Sequence, residues 1–146
     1  IETLFPIMGN DCSIWYQAVI RGDVNTIRIG NEVNVQDGAV IHATYKTAPT
    51  IIGNKVSIGH NAIVHGCTIG DNVLVGMGSI IMDHSIVGSN SIIAAGAVVT
   101  KNTIISPGSI YAGIPAQRIK KIDPNLHGNE IKRIAQNYLK YASWFK

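Results

Sequence analysis

Aliphatic residues recur at intervals of six over most of this sequence, and this period is the strongest constraint on its fold. A period of six matches neither the 3.6-residue repeat of an amphipathic helix nor the two-residue alternation of hairpin strands. It is typical of a β-solenoid, in which each unit contributes one short strand and one corner and three units close a triangular coil. The aliphatic residues that open the units are Ile29, Val35, Ile41, Ile52, Ile58, Val64, Ile69, Val75, Ile81, Val87, Ile93, Val99 and Ile105.

The rest of each unit indicates how the chain turns and where the solenoid ends. Four residues after nearly every aliphatic stands a small or β-branched residue, as at Val33 and Thr68. In solenoids of this hexapeptide class the tight corners allow left-handed coils. From Glu130 onward apolar residues recur at three and four positions, which indicates an α-helix. We therefore predict an all-β solenoid, a left-handed parallel β-helix over residues 1–115, followed by a connecting segment and a C-terminal helix over residues 116–146 that packs on it.

The composition narrows the class of protein. Charged residues make up 14% of the 146 residues and apolar residues 46%, whereas about 25% charged is usual for a soluble domain. This apolar, weakly charged composition excludes a disordered chain. No apolar run is long enough for a membrane span. So few charged residues in a soluble chain favour burial of part of its surface between subunits. The net charge of +3 is thinly spread, which argues against a nucleic-acid partner. Cys12 and Cys67 match no metal-binding spacing and favour a reducing, cytoplasmic compartment.

Two interruptions of the period lie beside histidines. Ile41 and Ile52 are 11 residues apart, which leaves a loop at Ala43–Thr50, and Val64 and Ile69 are only five apart. Departures from a regular scaffold are often functional.

Three histidines near these interruptions are candidate metal ligands: His42, His60 and His65. When the loop is counted as one unit, His60 falls about one coil from His42, so we expect all three imidazoles near one edge of the prism. Three neutral imidazoles suit Zn²⁺, or alternatively Fe²⁺ or Co²⁺, and leave a position for a water whose pKa falls to about 7. Because His60 and His65 differ by five, a neighbouring subunit could supply the third ligand. His84 and His127 are expected to be solvated.

A second group of polar residues precedes the histidines in an otherwise apolar region: Arg21, Asp23, Arg28, Gln36 and Asp37. Arg21 and Asp23 are two apart, so on a strand they share a face and could pair within the chain or across an interface. A structural salt bridge and a solvated corner are the alternatives to a functional role.

Several segments in order resemble the gamma-class carbonic anhydrase family of hexapeptide-repeat proteins. They are SIWYQAVIRGD at 13–23, NVQD at 34–37, GHNAIVHGC at 59–67 and YAGIPA at 111–116. The resemblance covers nearly the whole chain. It implies a homotrimer with three active sites at subunit interfaces, where His42 and His65 of one subunit and His60 of the next bind the metal. The reaction it implies is hydration of CO₂ to bicarbonate by a metal-bound hydroxide.

The resemblance also implies catalytic roles for the upstream polar residues. Arg21 and Asp23 correspond to the family's interface pair, with Asp37 supporting that arginine. Gln36 corresponds to the glutamine that hydrogen-bonds the metal-bound water or bicarbonate.

The sequence departs from the family pattern at residues concerned with proton transfer. Val24 stands where the archaeal prototype has a glutamate, the loop Ala43–Thr50 contains no carboxylate, and the family's active-site tyrosine aligns with Ile92. Typical members also carry about one more coil before Ser13.

Two other function classes are compatible with the fold. One is an acyltransferase or thioesterase acting on a CoA thioester, with a histidine as general base. The other is a non-catalytic metal-binding assembly subunit, which the missing glutamates favour. Carbonic anhydrase is the favoured prediction because acyl transfer does not need three clustered histidines together with the Arg-Asp-Gln-Asp set.

Overall fold

Each six-residue unit folds into a strand of two or three residues followed by a corner, and three units complete one coil. The computed structural model describes residues 5–146, so residues 1–4 of the predicted solenoid lie outside the described residues. The hexapeptide repeats form the predicted left-handed parallel β-helix of about six coils.

The strands follow one another around the coils in a fixed order. Coil 1 contains β1 (Ile7–Met8), β2 (Ser13–Ile14) and β3 (Val19–Ile20). Coil 2 contains β4 (Ile27–Ile29), β5 (Asn34–Val35) and β6 (Val40–His42). Coil 3 contains β7 (Thr50–Ile52), β8 (Ser57–Ile58) and β9 (Ile63–His65). Coil 4 contains β10 (Thr68–Ile69), β11 (Leu74–Val75) and β12 (Ile80–Ile81). Coil 5 contains β13 (Ile86–Val87), β14 (Ile92–Ile93) and β15 (Val98–Val99), and the last, partial coil contains β16 (Ile104–Ile105) and β17 (Ser109–Ala112).

Equivalent strands of successive coils pair in parallel and build the three faces of the prism. The first sheet has the order β1-β4-β7-β10-β13-β16, the second β2-β5-β8-β11-β14-β17, and the third β3-β6-β9-β12-β15. A further strand, β18 (Gln117–Lys121), pairs antiparallel with β17 and extends the second sheet beyond the last coil. Because every strand is stacked on its equivalent, a corner residue in one coil lies above the corner residue of the coil before it.

The core is the column of predicted aliphatic side chains inside the prism. All of the aliphatic residues that open the units are buried, which confirms the periodic prediction. Ile81, for example, is fully buried and is paired in register with Val64 below and Val99 above. Stacked corners approach so closely that a side chain at Gly30 would place its Cβ 2.6 Å from the Gly53 carbonyl oxygen, so this position requires glycine.

The two interruptions of the period have different structures. The long one is an excursion at a corner, closed by a bridge between Thr44 and Ala48, and β6 is followed directly by β7 on the next face. Counting this loop as one unit was therefore wrong. At the short interruption Cys67 is buried and Thr68 is exposed.

The predicted C-terminal helix is present and lies against the second sheet. A short π-helical segment, Pro124–Gly128, leads into α1 (Asn129–Ser143), and the Asp123 carboxylate accepts hydrogen bonds from the first free backbone N–H groups. Ile131 and Ala135 are buried on the solenoid side of α1. Within residues 5–146 no helix has the length and apolar character needed to cross a membrane.

Replacing a stacked aliphatic should destabilise the solenoid strongly. Ile81→Ala is expected to lower the free energy of unfolding by about 2–5 kcal/mol, because it leaves a cavity between two packed neighbours. Urea denaturation followed by circular dichroism measures this loss. Ile104→Ala is the control, since that side chain is 69% exposed and should change stability by less than about 0.5 kcal/mol. Equal losses in the two variants would contradict the assigned core.

Burial raises the pKa of the Cys67 thiol to about 12. Because the folded pKa lies above that of the unfolded chain, the neutral thiol contributes stability below about pH 9 that is lost as the pH rises toward 12. In a Cys12→Ser variant at pH 8, we expect Ellman's reagent to react only after unfolding in guanidinium. Rapid reaction of the native variant would show that Cys67 is accessible.

Candidate metal centre

The predicted site residues lie at two different corners of the prism. His42 and His65 end β6 and β9 of the third sheet, and Arg21 and Asp23 follow β3, all at the corner that leads to the first sheet. We call this the first corner. Gln36, Asp37 and His60 follow strands of the second sheet, at the corner that leads to the third sheet, which we call the second corner.

The expectation that all three imidazoles lie near one edge of a single chain is therefore wrong for His60. The expectation failed because the loop at Ala43–Thr50 was counted as a six-residue unit of the solenoid. Without the loop, the residue one coil above His42 is His65, and the two are register partners on β6 and β9. His60 lies a full strand away from them.

At the first corner two ring nitrogens converge. His42 Nδ1 lies 3.1 Å from His65 Nε2, and the ring centroids are 5.0 Å apart. Two ligands bound tetrahedrally at 2.0–2.1 Å are separated by about 3.3 Å. The pair therefore has the spacing of two ligands of one metal ion.

Each of these histidines also contacts a carboxylate through its other ring nitrogen. Asp23 Oδ1 lies 3.2 Å from His42 Nε2, and Asp83 Oδ1 lies 2.6 Å from His65 Nδ1. The sequence analysis missed Asp83. Its signal was the register, because β12 stacks on β9 and the residues after β12 must lie above those after β9.

Asp83 is held from two sides. Its second carboxylate oxygen accepts a hydrogen bond from the Thr44 hydroxyl, at the base of the corner loop. Burial raises the pKa of Asp83, but the hydrogen bonds from Thr44 and His65 outweigh it and hold the pKa below its usual value. Asp83 is therefore an anion at neutral pH.

Arg21 and Asp23 pair within the chain. Arg21 Nη1 donates to Asp23 Oδ2 at 2.6 Å, and Arg21 Nη2 lies 3.5 Å from His42 Nδ1. Burial raises the pKa of Asp23, but the hydrogen bonds from Arg21 and His42 bring it below the usual value. Both side chains are about half exposed, so a neighbouring molecule can reach them.

At the second corner His60 lies between two oxygen atoms. Asp37 Oδ2 lies 3.0 Å from His60 Nδ1, and the hydroxyl of Tyr138 on α1 lies 3.5 Å from His60 Nε2. Within one chain Asp37 thus contacts His60 and not Arg21. Burial, followed by the nearby Asp37 charge, raises the pKa of Tyr138, so this hydroxyl is neutral at physiological pH.

Tyr138 is a second residue whose place at the site the sequence analysis missed. The family resemblance instead aligns the active-site tyrosine with Ile92. Ile92 lies on β14 and lines a cleft beside His60, but the hydroxyl that reaches His60 comes from α1. The period of the solenoid carries no signal for this contact.

The cleft beside the second corner lies between α1 and the solenoid and has a volume of about 350 Å³. Its walls include Leu74, Met77 and Ile92, and its polar groups come from Gln36, His60 and Tyr138. Gln36 is buried, and its amide donates to Asn34 Oδ1 at 3.0 Å, which fixes the side chain. The cleft is therefore mainly apolar, with three polar side chains in its lining.

The third sheet presents an apolar face between the two corners. The outward residues of its strands pair in register, and they are Val19, Val40, Ile63, Ile80 and Val98. Val19 and Ile63 are exposed in the single chain. An aliphatic face bounded by polar half-sites is typical of a surface that another protein covers.

Metal ligands from one chain do not complete a site. Among residues 5–146 no three groups capable of holding a metal ion converge. His42 and His65 fit two positions of a metal centre, whereas His60 offers a ligand at the opposite edge of the same sheet. His84 is exposed and His127 lies in the segment before α1, so neither joins either corner.

Comparisons with known proteins point to one group. The bacterial transferase hexapeptide model (six repeats) matches residues 49–83 and 66–101. A Methanocaldococcus jannaschii protein named "Probable carbonic anhydrase" is 55% identical over 92% of this chain and 82% of its own length. Gamma carbonic anhydrase 1, mitochondrial, of Arabidopsis thaliana is 40% identical over 93% of this chain, which spans 50% of the plant protein.

A crystal structure of a similar protein has the same fold as this chain. The hexapeptide transferase family protein from Anaplasma phagocytophilum superimposes with a TM-score of 0.87 at 38% identity. The match covers 93% of this chain and 79% of that protein.

The position of Tyr138 depends on aromatic packing against coil 1. Trp15 makes edge-to-face contacts with Tyr138 and Phe145, at centroid distances of 5.4 and 5.8 Å. Trp15→Ala is expected to weaken the docking of α1 by about 1–3 kcal/mol, the value of two such pairs. Amide hydrogen exchange should then accelerate in α1 and not in β12. Trp144→Ala, at a residue that is 66% exposed, is the control; equal acceleration in both would contradict the docking role of Trp15.

Proposed function

Because the chain belongs to the gamma carbonic anhydrase family of hexapeptide-repeat proteins, we propose that it hydrates CO₂ to bicarbonate at metal sites shared between the subunits of a homotrimer. One observation carries this proposal: the two groups of site residues lie at opposite edges of one apolar sheet face. Neither group is sufficient alone, and a second copy of the chain supplies what each lacks.

The placement of the two corners favours a closed ring. When the first corner of one subunit meets the second corner of the next, the contact uses different surfaces on the two partners. Such head-to-tail contacts generate rings when the rotation closes. Three copies with their third sheets turned toward a common axis would bury the aliphatic face and form three equivalent sites. The low proportion of charged residues agrees with this burial.

In this arrangement His42 and His65 of one subunit and His60 of the next would hold the metal. Three imidazoles suit Zn²⁺, with Fe²⁺ and Co²⁺ as alternatives. A divalent metal bound by three histidines supplies a nucleophile at neutral pH by lowering the pKa of a water to about 7.

The remaining site residues would orient the substrate and the ligands. Gln36 is fixed by Asn34 and faces the cleft beside His60, so its amide can hydrogen-bond the attacking oxygen or the bicarbonate product. The apolar wall of the cleft suits CO₂, which carries no charge. Asp37 contacts His60 at Nδ1, and the exposed Arg21–Asp23 pair would lie at the subunit contact.

Proton release would differ from that of an enzyme with a built-in shuttle. Val24 and the loop Ala43–Thr50 supply no carboxylate, and the Tyr138 hydroxyl is neutral. The proton would therefore leave through water to the buffer.

Acyl transfer from a thioester is the second candidate. The name of the Anaplasma protein favours it, and the lining of the apolar cleft includes His60, which could serve as general base. It explains neither the converging His42–His65 pair nor its two carboxylates. A non-catalytic metal-binding subunit would retain the site and lack hydration.

Mixed trimers test the shared site directly. We expect His60→Ala and His65→Ala each to lose bound zinc and CO₂ hydration, measured by elemental analysis and stopped flow. Co-refolding the two variants at equal amounts should restore about a quarter of the sites, because intact corners from different chains meet with that frequency in a random ring.

A matched pair of variants is the control for this experiment. His42→Ala mixed with His65→Ala should restore nothing, since both lesions lie at the first corner. Restoration in both mixtures, or in neither while the wild type binds zinc, would contradict a site shared between subunits. Zinc binding without hydration in the wild type would favour the assembly subunit, and absence of zinc would favour the acyltransferase.

A further inference from the structure

Asp83 connects three parts of the first corner that are distant in sequence. It follows β12 in coil 4, its Oδ1 lies 2.6 Å from His65 Nδ1 in coil 3, and its Oδ2 accepts from Thr44 at the base of the loop after coil 2. The side chain is 13% exposed. It is the most enclosed carboxylate among the ion pairs of residues 5–146.

The contact with Asp83 decides which nitrogen of His65 carries the proton. An ionised carboxylate only accepts hydrogen bonds, so the group facing it must be the donor, Nδ1–H. In the neutral ring the lone pair is then on Nε2. Nε2 is the atom that points at His42, 3.1 Å away.

We propose that Asp83 is a positioning residue for the metal: it fixes the tautomer and the ring orientation of His65, so that Nε2 is presented as a ligand. Thr44 contributes by holding the second carboxylate oxygen, which leaves Oδ1 for the histidine. This inference deepens the proposed function and rests on it. Carboxylates that hold metal-binding histidines in this way raise ligand basicity, and their removal typically weakens metal binding 10- to 100-fold.

The corner loop thereby helps to position Asp83, a role that its sequence alone does not indicate. It carries no carboxylate, but its first turn supplies the Thr44 hydroxyl, and Asn25 Nδ2 donates to the Thr44 carbonyl at 2.8 Å. Thr44 is thus fixed by its backbone and its side chain together. Through the Thr44 hydroxyl, the loop thus holds the carboxylate of Asp83, which in turn contacts His65.

Zinc affinity and the His65 tautomer test the proposal on the assembled protein. We expect the zinc dissociation constant, measured by chelator competition, to rise roughly 10- to 100-fold in Asp83→Ala. Asp83→Asn, which retains one acceptor, and Thr44→Val should show smaller increases. In the metal-free wild type, ¹⁵N chemical shifts should report an unprotonated Nε2 on His65, and Asp83→Ala should show a mixture of tautomers.

Asp71→Ala is the matched control. Its carboxylate accepts the Asn54 backbone N–H at 2.7 Å at the corner between the first and second sheets, so it supports the same kind of coil stacking far from the site. This variant should keep the wild-type zinc affinity. Light scattering establishes that each variant keeps the wild-type assembly.

Each outcome decides one of the two proposals. If the Asp83 variants keep wild-type affinity and tautomer, or if Asp71→Ala weakens zinc binding equally, the role of Asp83 is overturned while CO₂ hydration can stand. If the wild type binds zinc without hydrating CO₂, and Asp83→Ala weakens binding, the role of Asp83 stands and the proposed activity falls. A wild type that binds none of zinc, iron and cobalt overturns both.

Discussion

The stacking of coils in register is the constraint on which the rest of the structure depends. Aliphatic side chains of one coil must pack directly on those of the next, with strands about 4.8 Å apart. Every corner residue is thereby fixed above another corner residue. At the first corner His42 and His65 are stacked in this way, and Asp83 of the next coil contacts His65, although the loop separates the three unevenly in sequence. The chemistry of the site is thus arranged by packing in the core.

The period predicted the core because it expresses the same stacking. The buried aliphatic positions, the coil and the C-terminal helix all follow from hydrophobic spacing. The predictions failed where the spacing changes. Counting the corner loop as a six-residue unit placed His60 at the corner of His42, whereas it lies at the neighbouring corner of the prism. Asp83 was recoverable from a correct register. Tyr138 was not, because the docking of α1 depends on aromatic contacts with Trp15 that follow no repeat.

Under the proposed function, the two corners divide the groups of a metal site between them. One contributes a preformed pair of imidazoles held by carboxylates, and the other contributes an imidazole, a fixed amide and a hydroxyl beside an apolar cleft. The aliphatic face between them has little use in an isolated chain. Under the proposed function, both assembly and catalysis depend on this face. A substitution that disturbs its packing would therefore lower activity without changing a metal-binding residue.

The corner loop has a consequence for how such a chain can change over evolutionary time. Its ends are joined by the Thr44–Ala48 bridge, and β6 and β7 continue the prism as if the intervening residues were absent. Insertions and deletions there move no stacked aliphatic. Related chains can therefore differ in the length and the charged residues of this loop while the β-helix stays the same. Groups that accept or release protons beside the site can be gained or lost in this way.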